Sequence, residues 1–182
     1  MQQVNIVIVG GGAGGLELAC KLGRRLGPEQ VTLVDLKLFH IWKPSLHEVA
    51  AGTLDIHQEG LSYEMLAHDN GFNFCLGAMT ALDVAGKRVS VAPVLDDRGD
   101  ELVPGRDLAF DQLVIAVGST VNHFNVPGAA EHTLSLNHPA DAERFRRRML
   151  KLLTAAELRK SGGGEGKVRT VIVGGGATGV EL

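Results

Sequence analysis

With 182 residues, 45% hydrophobic and 21% charged, the chain is long enough to bury a core. A formal net charge of -3 with scattered rather than striped basic residues argues against nucleic acid as a partner. Cys20 and Cys75 form neither a local CxxC dithiol nor a disulfide framework, so a reducing compartment is the default expectation. The opening MQQVNIVIVGG lacks the features of a signal peptide, and no stretch approaches about 18 unbroken apolar residues, so any membrane contact is expected to be peripheral.

The first element is VNIVIV (residues 4–9), a β-branched run with the composition of a buried parallel strand. It enters the turn Gly10-Gly11-Gly12-Ala13-Gly14-Gly15, which opens an amphipathic helix to about Leu26. The spacing is that of a dinucleotide fingerprint. Gly10 permits a sharp turn, Gly12 removes a side chain where a pyrophosphate meets the backbone, and Gly15 lets helix and strand pack closely. Phosphates would sit at the helix N-terminus, where free N–H groups point. Gly27-Pro28 ends the helix, and VTLVD is a second strand closed by Asp35. That acid stands about 20 residues beyond Gly15, where a carboxylate accepts hydrogen bonds from ribose hydroxyls. A lone glycine motif is weak, but this one sits in a complete strand–helix–strand context.

Residues 72–116 read as short strands with turn punctuation: FNFCLG, AMTALDVAG, KRVSVAPV, the polar turn DDRGDE, and FDQLVIAVGS. The Gly86-Lys87 turn predicts a hairpin within a small antiparallel meander, and LVIAVGS a further buried strand. A domain boundary is expected around residues 120–138. From Pro139 the pattern is helical, since Phe145, Met149, Leu152, Leu153 and Ala156 recur at helical spacing, Asp141 and Glu143 suit the first turn, and SGGGEGK ends it. The basic run RFRRRMLK is read as the solvated or salt-bridged face of that helix, in preference to a membrane-binding surface. The last stretch, RTVIVGGGATGVEL (169–182), repeats V-I-V-G-G-G-A-x-G-x-E-L of the first motif. It predicts a second buried strand, a glycine turn at Gly174, Gly176 and Gly179, and a helix with Glu181 in its first turn, as Glu17 is in the first. A first-turn glutamate is explained equally by the helix dipole. The seven histidines lack metal-ligand spacing, so no metal is expected, and they read as surface or pocket residues. Cys20 is expected to pack as a small core residue.

The series GGGAGGLE, Asp35, HIWKPSLHEVAAGTLD, FDQLVIAVGSTVNHFNVPGAAEHTLSL, a helix and GGGATGVEL resembles the two-dinucleotide-domain flavoproteins, and most closely the type II NADH dehydrogenases, over essentially the whole chain. The resemblance implies an α/β fold: a Rossmann-like FAD-binding βαβ parallel sheet with an antiparallel β-meander, plus the start of a second, inserted nucleotide-binding domain. It implies an FAD-binding domain over 1–125, a linker over 126–138 and the beginning of an NAD(P)H-binding domain over 139–182. The chain then reads as an N-terminal fragment, cut as the insertion begins. The implied reaction passes hydride from NADH (or NADPH) to FAD and electrons on to a quinone. The implied FAD contacts are the pyrophosphate at Gly10, Gly11, Gly12, Ala13, Gly14 and Gly15, the ribose at Asp35 with Leu36 beside it, and the adenine side at Met79. The isoalloxazine side falls to Lys43, Pro44, Ala116, Val117 and Gly118, and the NAD(P)H turn to Gly174, Gly176 and Gly179. Glu181 is the implied catalytic residue, near where nicotinamide meets flavin.

Departures from the family pattern are Val117 for a usual Thr, and Ser45 and His47 where Leu and an aromatic are common. The family implies a cytoplasmic protein, or one held peripherally at the cytoplasmic face of the inner membrane through parts beyond this chain. A homodimer stays open. Sulfide:quinone oxidoreductases share the layout but carry active-site cysteines, and none stands between Gly118 and Leu182; disulfide reductases need paired cysteines where residues 39–54 have none. Another FAD-dependent NAD(P)H or sulfide:quinone reductase and a non-catalytic nucleotide-binding module are the alternatives. These 182 residues are expected to retain flavin weakly or not at all, and to be inactive alone.

Overall fold

A computed structural model describes residues 4–55 and 60–182. In chain order the elements are β1 (Ile6–Val9), α1 (Ala13–Leu26), β2 (Val31–Asp35), β3 (Phe39–His40), a 3-10 turn (Lys43–Ser45), α2 (Leu46–Ala51), β4 (Leu61–Ser62) and α3 (Tyr63–Asn70). There follow β5 (Asn73–Leu76), β6 (Met79–Asp83), β7 (Arg88–Val91), β8 (Val94–Leu95), β9 (Glu101–Val103), β10 (Arg106–Ala109) and β11 (Gln112–Ile115), then α4 (Ala129–His132), α5 (Pro139–Ser161) and α6 (Ala177–Glu181). The described residues divide into two compact units, one of residues 4–41 and 60–119, the other of 42–55 and 120–182.

The first unit is built on a parallel sheet of order β11-β1-β2-β5. Alternation along β1 explains its two buried faces. Ile8 joins Leu16, Ala19, Val31, Leu33, Tyr63, Ala67 and Phe72 on the side covered by α1 and α3. Val7 and Val9 join Val34, Cys75, Val89 and Val91 on the side covered by a second sheet, antiparallel and ordered β10-β7-β6. Every residue of β1 is thus needed by one face or the other, which is why the strand reads as a continuous apolar run. The β6–β7 hairpin forms where Gly86-Lys87 predicts it, with Asp83 opposite Arg88. Its left-handed residue is Lys87 (φ 50°), while the Gly86 N–H is held by Asp83 Oδ1 at 2.8 Å. Arg106 of β10 donates to the Leu76 carbonyl at 2.6 Å and reaches Cys75 Sγ at 3.0 Å, tying the antiparallel sheet to the parallel one. Cys20 is half-buried and packs against the first cluster.

In the second unit α2 packs against α5, burying Leu46, Val49 and Ala50 of the one and Ala142 and Ala156 of the other. α5 starts at Pro139, as expected, and Asp141 caps it by accepting the His138 N–H at 3.1 Å, whereas Glu143, expected in the first turn, stands at the fifth position beyond it. The arginines of the basic run are exposed or paired: Arg144 bonds Asp141, and Arg146 and Arg147 both bond Glu143. Leu153 differs from expectation and is 52% exposed, since the buried stripe follows Ala142 and Ala156.

Two expectations are corrected. Residues 169–173 do not form a buried strand. Val171, Ile172 and Val173 are 85%, 49% and 89% exposed, and no strand pairs with them among the described residues. A β-branched run becomes a strand only where a neighbour completes its ladder. The second correction concerns the glutamates. α1 and α6 are capped by Gly12 and Gly176, so Glu17 and Glu181 occupy the fifth helical position, and neither first turn holds an acid. The dipole effect fades beyond the first turn and no longer accounts for either residue. Glu17 instead pairs with Lys21 at 2.6 Å, on the surface.

Candidate functional site

Four loops leave the carboxyl ends of the four parallel strands in the first unit: Gly10 follows β1, Leu36 follows β2, Gly77 follows β5 and Ala116 follows β11. In an open parallel sheet, this edge is where ligands bind. Gly10 lies at φ 103°, its N–H bonded to the Val34 carbonyl at 2.8 Å, and a Cβ there would come within 2.5 Å of the Ala116 carbonyl oxygen. A Cβ on Gly15 would collide with the Gly10 carbonyl, so α1 can begin this close to β1 only with glycine. Gly12 and Gly14 differ in kind: a Cβ on either would meet nothing within 4 Å. The space they leave faces the N-terminus of a 14-residue helix whose first turn carries no acid, an arrangement that fits a phosphate group.

Asp35 joins the loop directly. Its Oδ2 accepts the Gly11 N–H at 2.7 Å and its Oδ1 the Lys37 N–H at 2.9 Å. A carboxylate offers about four acceptor sites, so each oxygen keeps capacity for a hydroxyl donor. Two residues that sequence reasoning missed complete the loop. Tyr63 donates its hydroxyl to the Gly11 carbonyl at 2.6 Å, and His40 Nδ1 lies 2.9 Å from the same oxygen. Both are buried, at 3% and 7% exposure. Tyr63 stacks on Phe74 (centroids 5.1 Å apart, 23°) and meets the His40 ring edge to face. Burial, and then the Asp35 charge, pushes the Tyr63 phenol well above its ordinary range. No local signal could have found them, since they stand 52 and 29 residues from Gly11.

Of the remaining candidates, Met79 opens β6 beyond Gly77, whose N–H bonds the Asp35 carbonyl at 2.8 Å. The Ala116 N–H continues the β1 ladder to Val9 O at 2.7 Å, Val117 is exposed, and Gly118 is left-handed at φ 78°. Leu36 is 66% exposed. The structure therefore gathers Gly10–Gly15, Asp35, Leu36, Met79, Ala116, Val117 and Gly118 into the first unit, and it places Lys43, Pro44, Gly174, Gly176, Gly179 and Glu181 in the second.

Within the second unit the sequence repeat becomes a repeat of conformation. Gly174 is left-handed at φ 112°, Gly176 caps its helix at φ -74°, ψ 173° against -63°, -177° for Gly12, and a Cβ on Gly179 would collide with the Gly174 carbonyl as one on Gly15 would with Gly10. Glu181 Oε2 lies 3.3 Å from His47 Nδ1, which is also 2.8 Å from the Pro44 carbonyl. The 3-10 turn and the end of the second glycine helix thus meet through one imidazole, an association the sequence did not reveal. Lys43 Nζ reaches Asn137 Oδ1 at 3.5 Å. Among the described residues no group of three or more His, Cys, Asp or Glu side chains could hold a metal ion, and no helix is long and apolar enough to cross a membrane.

A parallel sheet with a glycine turn and helix after β1 and an acid at the end of β2 defines a Rossmann-like dinucleotide-binding unit. The pattern of the pyridine nucleotide-disulphide oxidoreductases matches residues 4–182, and the chain belongs to that family. It is 42% identical over 193 residues to the type II NADH:quinone oxidoreductase of Haemophilus influenzae, covering 98% of this chain and 44% of that protein. It is 33% identical to the demethylphylloquinone reductase NdbB of Synechocystis, covering 97% and 41%. The chain therefore spans less than half the length of these relatives. Among solved structures, NDH2 of Plasmodium falciparum in complex with NADH superposes with a TM-score of 0.69 at 23% identity, over 86% of this chain and 30% of that one. The sulfide:quinone oxidoreductase of Aquifex aeolicus superposes with a TM-score of 0.67 at 20% identity, over 83% and 32%. These two share the fold.

Proposed function

We propose that this chain is the flavin-binding part of an NADH:quinone oxidoreductase of the type II kind, together with the first turn of its NAD(P)H site. The observation that carries the reading is the pair of glycine turns with one backbone geometry in a single chain, the first completed by Asp35. Its support from relatives is the 42% identity to a protein named for NADH and quinone. FAD, once bound, would accept hydride from NADH and release electrons to the quinone. The chain's own residues bind and orient. Gly12 and Gly14 admit the pyrophosphate, the helix N-terminus stabilises its charge, and Asp35 accepts from ribose hydroxyls. Met79 stands on the adenine side, and Ala116 to Gly118 on the ring side. Gly174, Gly176 and Gly179 receive the NADH pyrophosphate in the same way. Glu181, beside His47, holds or passes the proton that the two-electron reaction requires. On this reading the working protein sits peripherally at a cytoplasmic membrane face and draws its quinone from the bilayer.

The test is an absorbance spectrum of the purified intact protein, followed by anaerobic titration with NADH and then a soluble quinone. Flavin bands that bleach with NADH and return with quinone are expected. Recovery only with another acceptor would replace the quinone while keeping the flavin, and a protein without flavin bands would leave a nucleotide-binding module. In the same assay Glu181→Gln is expected to lower kcat by about a hundredfold if the carboxylate moves the proton, the usual scale for a lost acid–base group. An unchanged kcat would reduce Glu181 to a structural partner of His47.

A further inference from the structure

The Gly11 carbonyl receives two donors from two different segments, the Tyr63 hydroxyl at 2.6 Å and His40 Nδ1 at 2.9 Å, so the imidazole must carry its proton on Nδ1. Both lone pairs of that oxygen are then satisfied. The preceding peptide is held too, through the Gly11 N–H on Asp35 Oδ2. Three side chains remote in sequence converge on one glycine, and a Cβ on it would lie 2.5 Å from the Tyr63 ring carbon Cζ and hydroxyl oxygen. The peptide that joins Gly11 to Gly12 is trans, so its carbonyl and its N–H point in opposite directions. With the Gly11 oxygen drawn inward onto Tyr63 and His40, the Gly12 N–H is turned outward, at the residue whose missing side chain leaves open space. Donors on the carbonyl also polarise that peptide, and hydrogen bonds in a chain strengthen one another.

We infer that Tyr63 and His40 are positioning residues for the dinucleotide site: through the Gly11 carbonyl they preset the Gly12 amide as a phosphate donor. The inference rests on the dinucleotide reading given under Proposed function. It assigns a binding role to two residues that touch no ligand themselves. The ring of Tyr63 has a separate duty in the core, on Phe74, which Tyr63→Phe preserves.

The experiment uses the isotope-labelled intact protein, freed of flavin, and its Tyr63→Phe, His40→Asn and His40→Leu variants. Three readouts are taken: melting temperature, the amide resonance and hydrogen exchange of Gly12 without ligand, and titration with FAD up to millimolar concentration at a temperature where every variant is folded. Tyr63→Phe is expected to shift the Gly12 resonance, speed its exchange, and weaken FAD binding by about five- to tenfold, the consequence of one lost hydrogen bond. His40→Leu should do the same, whereas His40→Asn, which keeps a nitrogen donor near the Nδ1 position, should stay close to the parent. Lowered melting temperatures with unchanged FAD affinity would overturn the inference, leaving the two residues purely structural. An unmoved Gly12 amide would overturn it as well. An intact parent protein that takes up no FAD at any concentration would overturn the dinucleotide reading itself, an outcome distinct from a parent and Tyr63→Phe that bind equally.

Discussion

At the residue scale the glycines of the first loop are not equivalent, and their differences can be tested. Gly12→Ser should leave the fold as stable as before, because its Cβ enters open space and serine is a good helix cap. FAD affinity should nonetheless fall by about tenfold or more, the equivalent of at least about 1.4 kcal/mol, since in the proposed dinucleotide site the new side chain would stand where the phosphate approaches. Gly15→Ser should instead cost about 1–3 kcal/mol of stability, the scale of overpacking, because its Cβ meets the Gly10 carbonyl. Thermal melts and FAD titration of both variants separate the two roles, and equal effects would show that the loop glycines act as one. Tyr63 gives a second measurement, as the only tyrosine in the chain. Its pKa is raised by burial and by Asp35, so the stability linked to its neutral form is fully present below about pH 10 and is lost as pH rises further. Phenolate absorbance should therefore appear only above the ordinary tyrosine range and together with unfolding. A smooth titration near pH 10 in a folded chain would contradict this. The glycine spacing and Asp35 were legible because each obeys a local rule of turn, approach or strand end. His40 and Tyr63 were not, because their partner is a backbone oxygen that becomes a neighbour only when β3 and α3 close over the loop.

At the scale of elements, α1, β2, the β6–β7 hairpin and α5 follow from periodicity and punctuation, since each contains its own start and stop. The run VIV at 171–173 carries the same letters as β1 and is no strand, because strand formation depends on a neighbour and its letters do not supply one. Charge placement on α5 is legible in part: the sequence marks Glu143 for the helix start, while the structure gives it Arg146 and Arg147 as partners. Their hydrogen bonds, Arg146 first, hold the Glu143 pKa down at about 2. A depressed carboxyl pKa contributes stability above the unfolded value, about 4.3, and loses it as pH falls towards 2. Melting temperature is thus expected to decline across that window in the parent chain and less steeply in Glu143→Gln. The same decline in both would assign the acid sensitivity to other carboxylates.

At the scale of the whole molecule, one glycine sequence used twice meets two different supports. In the first unit the loop is pinned by Val34, Ala116, Asp35, His40 and Tyr63, contacts that make its open face rigid before any ligand arrives. The second turn adopts the same backbone conformation, yet the strand-like run leading into it is exposed and unpaired among the described residues. Binding sites need rigid elements behind them, since each loosely held donor must be ordered at the cost of affinity. Lacking an anchored second loop, these 182 residues should not oxidise NADH, and they should hold FAD only weakly because they span less than half the length of the relatives on which the flavin reading rests. The measurement is the flavin-to-protein absorbance ratio of the chain after reconstitution with FAD and gel filtration, followed by the decay of NADH absorbance with a quinone present. A ratio far below one flavin per chain and no NADH loss above background are expected. A stoichiometric yellow protein would mean that the four strand-end loops suffice for the flavin, and NADH oxidation by that protein would mean that the exposed VIV run orders itself around the nucleotide.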